Sequence, residues 1–161
     1  IFQGSFYAES SEFMEMASFS NAHFEGRNTI FSQAVFYSKA RFPDATFAND
    51  VKFFKTRFHD TAMFQSAVFK GHSFWGASEF KGYAGFGKTR FFQELDMAKT
   101  EFGDRSNFNG LFAFLPAYFN EASFAEIADF SKANFLQGIN TEEAEFAKSV
   151  KGVSTSDDNQ E

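Results

Sequence analysis

The chain has 161 residues, of which 43% are hydrophobic and 28 are Phe, with no Cys and a formal net charge of -6. This length allows one domain with a sizeable core, while the lack of Cys excludes disulfides and thiolate chemistry and fits a reducing compartment, with the cytoplasm favoured. The acidic balance argues against direct binding of DNA or RNA, and no apolar run approaches the roughly 20 residues of a bilayer-spanning helix, so no membrane contact is expected within this segment.

The chain opens on Ile1 and Phe2, core-like residues with no initiator Met or signal peptide before them, which suggests a longer gene product. From there apolar centres recur every five or six residues: Phe2, Tyr7, Phe13, Phe19, Phe24, Ile30, Phe36 and Phe42, and onward to Phe135 and Phe146. A small residue stands two positions before most centres, as at Ala17, Ala22, Ala34 and Ala40, so the unit reads Ala-x-Phe-x-x. In an extended segment residues two apart face the same way, so the small residue and the centre both point inward and the remaining residues turn a corner. An α-helix is excluded, because steps of five and six do not mark one stripe on a 3.6-residue helix.

Every fourth centre belongs to one column: Tyr7, Ile30, Phe53, Phe74, Met97 and Phe119. That column holds the non-Phe centres, and the unusual residues at the small position, Asn28, Val51, His72 and Leu95, fall in it too. Recurrence on every fourth unit predicts a four-sided coil of about 22 residues and disfavours a three-sided hexapeptide helix.

With this unit, residues 1–146 resemble the pentapeptide-repeat family in a Phe-centred form that mixes five- and six-residue spacing. The resemblance implies an all-β fold, a right-handed quadrilateral β-helix of nearly seven coils, about 30 Å tall at the strand spacing of about 4.8 Å. It implies no enzyme activity and no cofactor.

The run from Gly82 through Gly87, Lys88 and Thr89 matches the phosphate-binding pattern G-x-x-x-x-G-K-[ST]. That chemistry needs a strand before the loop and a helix after it. Here Ala84 and Phe86, then Thr89 and Phe91, carry the repeat through the match, so no nucleotide is expected and Lys88 reads as an exposed corner residue. His23, His59 and His72 fall on three different sides and cannot converge on a metal. His72 reads as an inward, hydrogen-bonded core residue. No nucleophile has a matched base, and the carboxylates have no cleft to shift their acidity, so no catalytic, cofactor or metal residue is assigned.

The candidate contact residues are aromatic. Phe31, Phe54 and Trp75 directly follow centres of the variable column at one-coil spacing, which predicts an aromatic stripe along one corner. Phe92 and Leu115 take the equivalent place on the preceding side, near Phe112. Such a stripe is either an interface, with a protein partner or with a second copy in a homodimer, or corner packing between coils.

Residues 1–110 carry 12 acidic and 12 basic side chains and residues 111–161 carry 9 and 3, so the net charge lies in the C-terminal third. Some pentapeptide-repeat proteins imitate duplex DNA with an acidic surface and bind gyrase. That alternative is weakened here by Lys39, Arg41, Lys52, Lys55 and Arg57. The repeat is expected to falter after Phe135, at Gly138, Ile139 and Asn140, and residues 147–161 read as a polar tail or linker. The expectation is a non-catalytic structural or protein-interaction module.

Overall fold

Each side of the coil has room for one small inward residue, one outward residue and one large inward residue before the chain must turn, so every strand is two residues long. The computed structural model describes residues 1–152, which form only such strands and their turns; among them there is no helix, and hence none long and apolar enough to cross a membrane. The strands stack in four parallel sheets of seven, seven, seven and six strands. The first face runs from Phe6–Tyr7 to Ile139–Asn140 and the second from Glu12–Phe13 to Glu145–Phe146. The third runs from Ala17–Ser18 to Val150–Lys151 and the fourth from His23–Phe24 to Asn134–Phe135. Arg57 lies opposite Glu79 and Phe58 opposite Phe80, a coil of about 22 residues.

Because each coil repeats the one below, like side chains stack. On the fourth face Phe24, Phe47, Phe69 and Phe91 lie 4.9, 4.7 and 4.6 Å apart between ring centroids. Rings of different faces meet edge-on, as Phe42 does with Phe53 at 5.7 Å and 89°. Offset stacks within faces and T-shaped contacts between them are both favourable aromatic geometries, so Phe can fill most of the interior's large positions.

The inward ladder of the first face is Ala8, Phe31, Phe53, Trp75, Met97 and Phe119, the first 5% exposed and the others 0%. This corrects the expected column at its ambiguous positions. Tyr7, Ile30 and Phe74 point outward, and Thr29 and Ser73, not Asn28 and His72, take the small inward places. On the fourth face Ala113, not Phe114, is the buried centre. Leu111 is buried in the small slot beside it, so large and small have exchanged places and the interior volume is roughly kept.

The cause is a strict alternation of corners. Steps of five run from Trp75 to Phe80 and from Phe86 to Phe91, and steps of six from Phe80 to Phe86 and from Phe91 to Met97. A five-residue corner is a β-turn in which the N–H of Ser78 donates to the Trp75 carbonyl at 3.0 Å, with Ala77 at φ 55. Positive φ at the third turn residue is the mark of a type II turn. Lys55, Lys88 and Lys99 occupy the same place at φ 55, 56 and 59. A seven-residue step from Phe24 to Phe31 interrupts the alternation once; there a Cβ on Gly26 would collide with the Gly4 carbonyl.

Hydroxyls at the small positions of the second face finish these corners from inside. Thr56 Oγ1 donates to the Phe31 carbonyl at 2.8 Å, Ser78 Oγ to that of Phe53 at 2.5 Å and Thr100 Oγ1 to that of Trp75 at 3.1 Å.

The expected break after Phe135 does not occur. Gly138, at φ 94, turns the corner, and Ile139–Asn140 pairs in register with Ala117–Tyr118. The ladder also passes Phe146, since Val150–Lys151 pairs with Ala128–Asp129. The remainder of the expected tail, residues 153–161, lies outside the described residues.

Candidate surface contact site

Stacking at one-coil spacing makes columns on the outside as well as the inside. At the corner that follows the fourth face, one column reads Lys70, Phe92, Phe114 and Leu136. Backbone bonds hold it: the Phe114 N–H donates to the Phe91 carbonyl at 2.9 Å and the Leu136 N–H to that of Ala113 at 3.0 Å. The inward turn of Ala113 forces its neighbours Phe112 and Phe114 outward. Phe92 and Phe114 then stack at 4.7 Å, and Phe112 meets Phe114 edge-on at 4.6 Å.

Phe114 is 38% and Leu136 57% exposed, while Phe92, Phe112 and Leu115 are half-buried. Arg90, Gln93, Asn134 and Gln137 surround them in the sequence positions of the same side and corner. The result is an apolar strip with polar neighbours.

Of the contact residues expected from sequence, Phe92 and Leu115 therefore lie in one cluster. Phe31 and Trp75 do not: both are fully buried, stacked on Phe53 at 4.8 and 4.1 Å, so the predicted three-residue stripe is interior packing except at Phe54. Phe54 is exposed on the other side of the first face, under the Lys55 ammonium at 5.2 Å. Phe114 and Leu136 escaped sequence reasoning, the first because it passed for an inward centre. Their one-coil offset from Phe92 was the available signal.

The phosphate-loop-like run is built into the coil. Lys88 is a left-handed turn residue, and Thr89 is buried with its Oγ1 donating to the Phe86 carbonyl at 2.6 Å. Gly82 packs on the backbone of the preceding coil, where a Cβ would come 2.6 Å from the Asp60 carbonyl carbon. His72 is half-buried at the surface, 3.8 Å from Glu94, because Ser73 holds the inward place expected of it. His59 stacks on Tyr37 at 5.1 Å, and His23 is exposed on the fourth face. Among the described residues no group of His, Cys, Asp or Glu is placed to hold a metal ion.

The carboxyl of Asp129 is held in its ionised form by its neighbours. The hydrogen bond from the Ser131 hydroxyl, against the opposing effect of burial and aided by the Ser131 backbone N–H and the charge of Lys151, lowers its pKa below the usual carboxylate value. The arrangement is an Asx turn that braces a corner.

Residues 31–78 match the family model described as pentapeptide repeats (9 copies). No curated protein matches the chain.

Proposed function

We propose that this pentapeptide-repeat solenoid is a non-catalytic structural module that works by protein contact, through the corner formed by Phe92, Phe112, Phe114 and Leu136. The observation that carries this reading is the Phe92–Phe114 stack, which faces water although the interior ladder is complete without it. Exposed aromatic pairs ringed by polar groups are the usual anchors of protein interfaces. The grooves among the described residues are open depressions lined by side chains such as Lys55, Arg57, Glu79 and Glu101, which do not exclude water. Such a surface favours contact over chemistry.

The experiment is affinity capture from an extract of the source cells with the parent chain and a Phe92→Ser, Phe114→Ser variant. The expected result is a protein retained by the parent and lost by a variant of unchanged thermal midpoint. Equal retention by both would overturn the reading.

A further inference from the structure

The first face sets an apolar residue at the middle of its outward column, with opposite charges one coil below and one coil above it. Its outward column reads, coil by coil, Tyr7, Ile30, Lys52, Phe74, Asp96, Tyr118 and Asn140, each paired in register with the next. Phe74 is the middle of the seven. Reversed about Phe74, the column complements itself: Lys52 meets Asp96, Ile30 meets Tyr118, and Tyr7 meets Asn140.

We infer that this face binds a second copy of the chain, in an antiparallel dimer whose twofold axis passes by Phe74. A twofold axis lying across the face and perpendicular to the coil axis keeps each column opposite itself and inverts its order. This is the isologous arrangement in which residue i contacts j and j contacts i. Lys52 of each copy then faces Asp96 of the other, giving two ion pairs on either side of a Phe74–Phe74 contact. Neither Lys52 nor Asp96 has an ion-pair partner in its own chain among the described residues.

The neighbouring column supports the same axis independently. It reads Glu9, Ser32, Phe54, Gly76, Ala98, Asn120 and Glu142, with Gly76 in the middle. Reversal sets Phe54, the exposed ring of this column, against Ala98 of the partner copy, beside the bare Gly76, while the column's two ends oppose Glu9 and Glu142 and limit close contact to the middle coils. An open groove on this face is lined by Phe54, Phe74 and Gly76 together with Lys52 and Asp96. A large residue thus meets small ones across the axis, as packing requires.

The corners bounding the face carry like charges opposite each other in this arrangement, Asp50 with Glu94 and Lys55 with Lys99. These charges have company in their own chain. Asp50 accepts the His72 N–H at 2.9 Å, Glu94 lies 3.8 Å from His72, and Lys99 pairs with Glu121 at 3.3 Å. They confine contact to the two central columns. A side three residues wide and seven coils tall is about 10 Å by 30 Å, smaller than a standard specific interface, so the dimer is a weak one that forms only at high micromolar concentration or above.

The inference shares with the proposed function the view that the surface is the working part, but it uses different residues. Sedimentation equilibrium over a concentration series up to about 1 mM is the measurement, on the parent, Lys52→Asp, Asp96→Lys, and an equimolar mixture of the two variants. The expected result is a dimerising parent, two monomeric single variants of unchanged circular dichroism, and a mixture that dimerises again, because each variant supplies the charges the other lacks. A parent that stays monomeric throughout, single variants that dimerise as well as the parent, or a mixture that stays monomeric would each overturn the dimer. None of these would touch the Phe92–Phe114 corner, whose capture experiment stands apart.

Discussion

Trp75 lies flat on Phe53, with ring centroids 4.1 Å apart and planes 8° from parallel, one coil above it in the same inward ladder. The indole is fully buried, and its Nε1–H has no hydrogen-bond partner. A Trp in a Phe ladder thus adds area and leaves a donor unmet.

Replacing Trp75 by Phe sets two effects against each other. Lost volume costs stability, and removal of a buried unsatisfied donor returns about 1 to 3 kcal/mol. The variant should therefore lie within about 1.5 kcal/mol of the parent in denaturant titration, whereas a loss above about 3 kcal/mol would show that the indole makes a bond of its own.

Phe80 is sandwiched between Phe58 at 4.7 Å and Phe102 at 5.1 Å and is fully buried. Phe80→Ala should cost about 3 to 5 kcal/mol in unfolding free energy, through lost burial and a cavity. Phe114→Ala, at a half-open corner, should cost under about 1 kcal/mol. Equal costs would contradict the division of Phe into ladder and surface.

That division was only partly legible in the sequence. Four sides and the coil length follow from spacing alone, because stacked parallel coils demand the same step every turn and three of the four inward ladders show it in Phe with few departures. Register at Ile30–Phe31, Phe74–Trp75 and Ala113–Phe114 did not follow. At Phe74–Trp75 and Ala113–Phe114 two adjacent residues each satisfy a step of five or six, and only the alternation of corner types chooses between them, whereas Phe31 lies seven residues after Phe24 and breaks the step rule itself. The contact corner shared that fate, since Phe114 becomes visible as a surface residue only once Ala113 is known to point inward. Ile139 similarly passed for a break because its neighbour at the centre position, Thr141, is not apolar.

Ala77 adopts φ 55 without a polar side chain to bond its own backbone. The left-handed conformation costs an L-residue about 1 to 2 kcal/mol that glycine does not bear. Ala77→Gly should raise the thermal midpoint, by stabilisation of about 1 kcal/mol after the added freedom of the unfolded chain is counted. A lowered midpoint would argue against this corner geometry.

Gly82 sits where a Cβ would meet the Asp60 backbone. Gly82→Ala should destabilise by about 1 to 3 kcal/mol through overpacking, and Lys88→Ala, at an exposed corner, by less than about 0.5 kcal/mol. Calorimetry of the two variants separates a steric role for this run from a ligand-binding one, for which addition of a nucleoside triphosphate should raise the midpoint of the parent and not of the Lys88 variant.

The register is tested most directly by the fluorescence of Trp75, the only Trp in the chain. With the indole sealed between coils, emission should be blue-shifted and resistant to quenching by iodide until the protein unfolds. Emission like that of free indole in water, quenched readily in the native state, would place Trp75 outside and contradict the ladder.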